Sequence, residues 1–345
     1  MLYNTENPHG GDIYEGGVEL DFSANTNPFG VPECVKAAVI SCLDDLSRYP
    51  DPYCRRLIRS IAEHENVPKE FILCGSGAAE LIYSFAAAVR PNTAAELTPT
   101  FAEYSLSLEN SSFIRHCLAE EKGFAVTNDF LDFIEKNKPD AVFLCNPNNP
   151  TGLCADDALI DQTAIVCKRM GARLFLDECF MDLSDSGKSF VSKLSIYPNV
   201  IVLKAFTKSY GMAGLRLGYC ITADKELLKA MSRAVQPWNV STAAQEAGAA
   251  AINDSSFIEK TKALIAKERP RLAVGLKKLG LAVFPSNVNF LLVKGEAGLD
   301  KRLLEKGIKI RNCSNYHGLD ESFYRIAVKL PEQNDRLIQA VKEAL

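Results

Sequence analysis

The sequence lacks a Cys-x-x-Cys pair, a long apolar run and an excess of basic residues. Its eleven cysteines are scattered from Cys34 to Cys313 without the Cys/His spacing of a zinc site, so we expect reduced, mostly buried thiols. No segment approaches the roughly 20 apolar residues that cross a bilayer, and residues 1–12 lack the basic and apolar regions of a signal peptide. These absences predict a cytoplasmic protein that holds no metal and crosses no membrane.

The balance of charges also excludes some functions. Lys and Arg number 39 against 43 Asp and Glu, a net charge of −4, which argues against a broad nucleic-acid-binding face. A local basic pocket for a small anion stays compatible with this balance. With 345 residues, 47% of them apolar and 24% charged, the chain has a globular composition and enough length for two domains.

Hydrophobic patterning predicts the organisation of the chain. Short apolar strands alternate with helices between residues 54 and 221, which is typical of a mainly parallel α/β sheet covered by helices on both faces. The last of these strands is predicted over 215–221. Beyond it, we expect one long helix over 242–279 and then a small α+β unit. We therefore predict an N-terminal arm (1–30), a large α/β domain (31–235), and a connecting helix with a small α+β domain (236–345).

The first candidate site is GSGAAE, residues 75–80, between a predicted strand and a helix. Small residues at a helix N-terminus let backbone N–H groups approach an anion. Three interpretations stay open: a plain tight turn, a phosphate cradle, or a dinucleotide fingerprint with Glu96 as the ribose acid. The last is weakened because Glu80 stands where that fingerprint has Gly or Ala.

Three further motifs follow predicted strands. NPNNPTG (146–152) is a plain loop or a fixed polar turn at the ligand-binding edge of an open sheet. Two interpretations of Asp177 in RLFLDE stay open: a helix cap or surface acid, or a buried carboxylate with a positive partner. Lys208 in TKSYGMAGLRLGY can be interpreted as a solvated surface group or as a Schiff-base nucleophile. Arg216 in the same segment has a planar guanidinium that can donate two hydrogen bonds to a phosphate. Together the motifs supply the groups that pyridoxal phosphate needs.

The sequence resembles the fold-type I pyridoxal-phosphate enzymes of the aminotransferase class I/II family over nearly its whole length. Within that family it resembles the branch of L-threonine-O-3-phosphate decarboxylases and histidinol-phosphate aminotransferases, and the decarboxylases more closely. The motifs that carry the resemblance are HGG (9–11), DFSANTNPFG, RYPDP, PTFAEY, NPNNPTG, LDECF, TKSYGMAGLRLGY, PWNVS and RNCSNYHGLDESFYRIAV. The Lys-to-Arg segment and NPNNPTG are the most specific of these motifs.

The resemblance implies roles for individual residues. Lys208 would form the Schiff base, Asp177 would pair with the ring nitrogen, and Tyr104 would stack on the ring. The remaining cofactor contacts would be Asn149 on O3′ and, on the phosphate, Ser76, Gly77, Ala78, Thr207, Arg216 and Tyr49 from the neighbouring subunit of a homodimer. The substrate contacts would be Arg325 on its carboxylate and Arg311 with His9 near its phosphate, with Asn149 beside them.

Two positions depart from the family pattern. Phe180 stands where many aminotransferases have Tyr, whose hydroxyl contacts O3′, although the decarboxylase branch also tends to have Phe there. Ala205 stands where the family has Ser or Thr on the phosphate. The resemblance therefore implies decarboxylation of L-threonine O-3-phosphate to (R)-1-amino-2-propanol O-2-phosphate in cobalamin biosynthesis. The alternatives are a histidinol-phosphate aminotransferase and a non-catalytic effector-binding module.

Overall fold

The computed structural model describes residues 8–14 and 16–345. The strands are β1 Leu20–Asp21, β2 Ile72–Gly75, β3 Thr93–Thr98, β4 Ser112–Cys117, β5 Ala141–Cys145, β6 Arg173–Asp177, β7 Val200–Ala205, β8 Gly218–Ile221, β9 Ala282–Val283, β10 Phe290–Lys294, β11 Ile308–Lys309, β12 Arg311–Asn312 and β13 Phe323–Ala327. The helices are α1 Glu33–Ser41, α2 Arg55–Glu65, α3 Ala78–Val89, α4 Glu103–Leu106, α5 Asp129–Asn137, α6 Asp157–Met170, α7 Phe206–Ser209, α8 Lys225–Ser232, α9 Thr242–Ala251, α10 Ser255–Lys278, α11 Leu299–Leu304 and α12 Pro331–Ala344.

A seven-stranded sheet in the order β2-β8-β7-β6-β5-β3-β4 forms the larger part of the molecule. Its strands run parallel except β8, which is antiparallel to both of its neighbours. Strands β5 and β7 are buried along their whole length, as expected for central strands covered on both faces. Successive residues of β5, such as Val142 and Phe143, belong to two different apolar clusters, one on each face of the sheet. The predicted α/β class and mainly parallel sheet are confirmed.

Two smaller sheets complete the fold. An antiparallel sheet has the order β12-β13-β10-β9. It packs against α10 and α12, and the side chains between them form a separate apolar cluster. Strand β1 pairs in parallel with β11, so the N-terminal segment is fixed to the C-terminal part of the chain. The seven-stranded and four-stranded sheets lie on either side of residue 235, where the boundary is predicted; the domain division itself stays a prediction.

Two elements differ from the prediction. The segment 242–279 forms two helices, because the side chain of Asp254 accepts the backbone N–H of Phe257 at 3.1 Å and begins α10 anew. Strand β8 begins only at Gly218, because Ala213–Leu215 forms a 3₁₀ turn and Arg216 has a left-handed φ of 54°. Among the described residues, no helix is both long enough and apolar enough to span a bilayer. All eleven cysteines are free thiols.

Candidate active site

A cavity of about 180 Å³ lies at the carboxyl edge of the seven-stranded sheet. The parallel strands β3, β5, β6 and β7 all end at this edge, and the antiparallel β8 begins there. The segments that follow or precede these strands therefore converge on one place. The predicted site residues that line the cavity are His9, Ala78, Asn149, Asp177, Thr207, Lys208, Arg216, Arg311 and Arg325.

Lys208 lies in the one-turn helix α7, directly after β7. Burial lowers the pKa of its amine to about 8, and the nearby charges of Arg325 and Arg216 act in the same direction. Its Nζ lies 5.9 Å from the ring centroid of Phe180, which also lines the cavity. At this pKa roughly a tenth of the amine is uncharged at pH 7, far more than for an ordinary lysine. The uncharged amine is the state that can attack a carbonyl group.

Asp177 is the last residue of β6 and is only 4% exposed. The hydroxyl of Tyr104 donates to its Oδ2 at 2.7 Å, and the backbone N–H of Cys179 donates to its Oδ1 at 2.9 Å. These two donors fix the orientation of the carboxylate. It lines the cavity as a negatively charged group and is suited to hold a cationic ring nitrogen.

The position of Tyr104 corrects the prediction that it stacks on a cofactor ring. It is fully buried, stacks on Phe143 with a centroid distance of 5.3 Å, and does not line the cavity. Burial, followed by the charge of Asp177, raises the pKa of its hydroxyl, so the hydroxyl stays a donor. Phe101 lines the cavity instead. Sequence reasoning missed Phe101, although it directly follows the end of β3 in PTFAEY.

The GSGAAE turn also differs from the predicted phosphate cradle. The backbone N–H of Ser76 donates to Glu80 at 2.6 Å, and that of Gly77 donates to the carbonyl of Gly75 at 2.8 Å. These two donors are therefore already used, and of residues 76–78 only Ala78 lines the cavity. Glu80 stands where the dinucleotide fingerprint has a glycine, and its side chain closes the turn. This disfavours the dinucleotide interpretation.

Arg216 occupies the space beside this turn. A Cβ atom on Gly77 would come within 2.6 Å of its guanidinium, and one on Gly218 would come within 2.8 Å of the backbone nitrogen of Ala78. Glycine is therefore required at both positions for the turn, strand β8 and the arginine to meet. Arg216, Thr207 and the start of α3 form the basic, polar end of the cavity, which suits a phosphate group.

Asn149 and Arg325 form one connected pair. The guanidinium of Arg325 donates to Asn149 Oδ1 at 2.5 Å and to the carbonyl oxygen of Ser23 at 2.7 Å. Tyr316, whose hydroxyl lies 3.4 Å from the same Asn149 oxygen, also lines the cavity. Arg325 is 7% exposed. The pair thus presents a fixed positive charge to the cavity, which Arg216 also lines.

His9 and Arg311 bring the N-terminal arm into the cavity. His9 Nε2 lies 2.5 Å from Glu103 Oε1, and its ring lies 5.4 Å from that of Phe101. Arg311 donates to the carbonyl oxygen of Pro8, the residue before His9. The hydrogen bond with His9 lowers the pKa of Glu103, which therefore stays ionised. The structure thus brings His9 and Arg311, which are far apart in sequence, to the same cavity.

Several buried polar atoms at the cavity have no hydrogen-bond partner within the described part of the chain. They are both side-chain atoms of Asn25 and the Nε atoms of Arg311 and Arg325. Buried polar groups normally have partners, so these atoms suit a polar ligand. Sequence reasoning did not assign Asn25 a role, although the asparagines of DFSANTNPFG were a usable signal. Outside residues 1–7 and 15, no group of three or more His, Cys, Asp or Glu side chains could hold a metal ion.

Tyr49 does not line the cavity of its own chain. It is 79% exposed and stacks on Trp238 at 4.4 Å between ring centroids. The other exposed apolar side chains of the same N-terminal region include Leu46 and Tyr53. Tyr49 therefore gives this chain no contact with its own cofactor site.

Comparisons with known proteins show the family of this chain. The sequence profile described as "Aminotransferase class I and II" matches residues 18–341. A threonine-phosphate decarboxylase of Salmonella typhimurium is 38% identical, covering 100% of this chain and 98% of its own length. A histidinol-phosphate aminotransferase of Caldanaerobacter subterraneus is 34% identical, with 93% and 92% covered. The solved structure of the histidinol-phosphate aminotransferase from Clostridium acetobutylicum has a TM-score of 0.88 and 31% identity, covering 94% of this chain and 98% of its own.

The chain belongs to the aminotransferase class I and II family and has its fold-type I architecture. Its cofactor is pyridoxal 5′-phosphate. The residues present fit this group, because one cavity contains a lysine with a lowered pKa, a carboxylate held by two donors and an arginine beside a glycine turn. When bound, the cofactor supplies an electron sink for the electron pair released at the substrate α-carbon.

Proposed function

We propose that the protein decarboxylates L-threonine O-3-phosphate to (R)-1-amino-2-propanol O-2-phosphate and CO2, a step of cobalamin biosynthesis. In this proposal Lys208 binds the cofactor aldehyde, Asp177 pairs with its ring nitrogen and Asn149 bonds O3′. Phe101 takes the ring contact first predicted for Tyr104, and Ala78, Thr207 and Arg216 hold the phosphate. The higher identity to the decarboxylase relative supports the choice of reaction.

The observation that carries the proposal is the position of His9 and Arg311. Both line the cavity together with Lys208, and Arg311 contacts the arm at Pro8. An arginine fork matches a phosphate group well, and we assign the substrate phosphate to these two residues. We assign the substrate carboxylate to Arg325, whose guanidinium is fixed by Asn149 and Ser23.

Substrate orientation decides which bond breaks at the α-carbon. Overlap with the conjugated cofactor favours the bond held perpendicular to its plane, so an out-of-plane carboxylate leaves as CO2 and an out-of-plane hydrogen leaves as a proton. Anchors distant from the α-carbon can impose this geometry. A phosphate held by His9 and Arg311, together with a carboxylate held by Arg325, would define the substrate orientation at two points.

The second candidate is transamination of histidinol phosphate with 2-oxoglutarate. It is favoured by the full-length similarity to histidinol-phosphate aminotransferases in sequence and in structure. A non-catalytic effector-binding module is disfavoured, since effector binding alone would not require a lysine with a lowered pKa beside Asp177 and Asn149. An NAD-dependent oxidoreductase would leave the same residues without a role.

We further propose a cytoplasmic homodimer in which Tyr49 of each chain contacts the cofactor phosphate of the other. Two observations support the dimer. Tyr49 is exposed and does not line its own cavity. It stacks on the half-exposed ring of Trp238, which gives it a defined position on the surface.

Incubation with L-threonine O-3-phosphate tests the reaction. We expect CO2 release without any keto acid, and (R)-1-amino-2-propanol O-2-phosphate as the product. Conversion of histidinol phosphate only when 2-oxoglutarate is present, with no CO2 from threonine phosphate, would establish the aminotransferase instead. Lack of both reactions, with the cofactor bound, would favour the effector-binding module.

Matched variants test the substrate anchors. Deleting residues 1–11, or the change Arg311→Met, should weaken binding of threonine phosphate and reduce CO2 release while the absorbance of the bound cofactor persists. Arg311→Met should abolish the preference for threonine phosphate over threonine, because only the phosphate contact is lost. Arg325→Met should instead impair both compounds. The opposite pattern would exchange the roles of the two arginines.

A further inference from the structure

A second cavity, of about 300 Å³, lies beside the active site. Phe101 and Tyr316 line both cavities and separate them. The second cavity also contacts Glu96 and Thr98 of β3 and Ser105 of α4. None of these three residues has a role in the proposed reaction.

Glu96 is the unusual group in this cavity. Its side chain is 3% exposed, and its Oε1 accepts from Arg115 Nε at 2.9 Å. Its Oε2 is buried and has no hydrogen-bond partner anywhere in residues 8–14 and 16–345. A buried carboxylate oxygen without a donor lowers the stability of the fold. Here that oxygen is an unused acceptor at the wall of a cavity large enough for a ligand.

The hydroxyl groups of the cavity are acceptors as well. Thr98 donates its proton to Cys117 Sγ at 3.4 Å, and Thr100 donates to Asn148 Oδ1 at 2.8 Å. Ser105 donates to the carbonyl oxygen of Ala102 at 3.2 Å. Each hydroxyl therefore directs its proton into the protein and has only lone pairs left for the cavity. Such a lining calls for a ligand rich in donors.

We propose that this cavity binds a small ligand with a primary ammonium group, for which Glu96 is the ionic partner. An ammonium group carries three donors and one positive charge, which match Oε2 of Glu96 and the hydroxyl oxygens around it. Phe101 and Leu106 supply apolar walls for a short aliphatic chain. The site is distinct from the one at Lys208, although Phe101 and Tyr316 line both cavities.

Neighbouring charges allow pH to control the site. The titratable groups facing Glu96 are Arg115 on β4 and Tyr316 and His317 on the loop beside the cavity. Burial raises the pKa of Glu96 to about 7, against the opposing effect of Arg115. Burial and Arg115 lower the pKa of His317, and burial raises that of Tyr316, so both stay uncharged above pH 7. Ammonium binding should therefore strengthen as pH rises through 7, where Glu96 ionises.

Calorimetric titration of the holoenzyme with ethanolamine tests the proposal. Borohydride treatment beforehand prevents amines from exchanging with the lysine–cofactor bond in the active site. At pH 8 we expect saturable binding of one ethanolamine per chain and no binding of ethylene glycol, its uncharged analogue. Affinity should fall about tenfold between pH 8 and pH 6, as the ionised fraction of a carboxyl with a pKa near 7 falls.

Variants distinguish this site from any other amine site. Glu96→Gln should weaken ethanolamine binding at least tenfold and remove its pH dependence, and Thr98→Val should weaken it several-fold. Glu120→Gln removes an exposed carboxylate paired with Lys294 outside the cavity and should change nothing. Unchanged binding in Glu96→Gln, absence of binding in the native protein, or binding of potassium in place of ethanolamine would each overturn the proposal. Should Glu96→Gln fail to fold, Thr98→Val and the pH profile decide the outcome.

Discussion

The hydroxyl of Ser209 donates to Oδ2 of Asp182 at 3.1 Å, and this bond joins the two chain segments that carry Lys208 and Asp177. Ser209 directly follows Lys208 and is fully buried. Asp182 lies in the turn after β6, the strand that ends at Asp177. The bond therefore links α7 to the turn after β6 and helps to fix the positions of Lys208 and Asp177 relative to each other.

We expect Ser209→Ala to loosen the position of Lys208 without removing any group from the cavity. The free energy of unfolding should fall by about 1 kcal/mol, the net contribution of one hydrogen bond. Cofactor dissociation should become several-fold faster, and the pH midpoint of the cofactor absorbance should shift. Ser232→Ala, which removes an exposed hydroxyl bonded to its own helix, is the control. Identical cofactor behaviour in both variants would leave Ser209 with a purely structural role.

A buried ion pair supports the same segment. Lys204 Nζ lies 2.9 Å from Glu65 Oε1, and the two side chains are 5% and 7% exposed. Burial opposes the charge of Lys204, but Asp182 and Glu65 raise its pKa above the ordinary value. Lys204 is therefore charged despite its burial.

Lys204→Met should lower the free energy of unfolding by about 3–5 kcal/mol, because Glu65 is left as an uncompensated buried charge. The double variant with Glu65→Gln should recover part of that loss. Lys36→Met breaks an exposed pair with Glu33 and should cost less than about 1 kcal/mol. Chemical denaturation measures all three variants. Equal losses for Lys204→Met and Lys36→Met would contradict the buried-pair argument.

Cofactor uptake by the apoenzyme should follow the ionisation of Lys208. The uncharged amine attacks the aldehyde, so the uptake rate should rise with pH and level off above about 8, the lowered pKa of this lysine. Rapid-mixing absorbance measurements give this profile. Arg325→Leu should move the midpoint upward, since Arg325 is the largest cause of the lowered pKa after burial.

Borohydride reduction identifies the residue that binds the cofactor. The purified protein should be yellow, and reduction should fix the cofactor to the peptide that contains Lys208. Labelling of another peptide, or a midpoint near the ordinary lysine value of 10.5, would contradict the assignment.

The residues that end strands could be predicted from sequence. Asp177, Asn149 and Lys208 each follow a continuous apolar run, and the carboxyl ends of parallel strands meet at one edge. Their convergence therefore follows from the strand pattern alone. His9 and Arg311 are far apart in sequence and could be grouped only through the family resemblance.

Details that depend on local geometry could not be predicted. Phe101 and Tyr104 are both aromatic and both follow β3, and only the one-turn helix α4 decides which of them lines the cavity. The sequence position of the Ser76 N–H predicts an anion donor, but in the fold the Glu80 side chain accepts this N–H. Likewise, the Ala-rich pattern of 242–279 continues through a helix break that a single capping bond at Asp254 creates.

Asp177→Asn should preserve the shape of the site and remove its negative charge. Without that charge the ring nitrogen loses its partner, and the rate should fall by several orders of magnitude while the cofactor stays bound. Tyr104→Phe keeps the carboxylate but removes one of its donors, so a smaller loss of roughly ten- to a hundredfold is expected. Steady-state rates and cofactor absorbance provide the two readouts. Near-normal activity of Asp177→Asn would make Asp177 structural only.

Mixing two inactive variants tests whether subunits share their sites. Tyr49 is exposed and outside its own cavity, so we expect its hydroxyl to serve the neighbouring chain. In a hybrid dimer of Tyr49→Phe and Lys208→Ala chains, one of the two sites would contain both an intact lysine and an intact tyrosine. Random pairing of equal amounts should therefore restore about a quarter of the activity per chain. A parallel mixture with Tyr53→Phe, which alters another exposed tyrosine of the same loop, controls for effects of mixing, since its activity should stay at half whether or not chains exchange. Strictly additive activities after demonstrated exchange would mean that each chain builds its site alone.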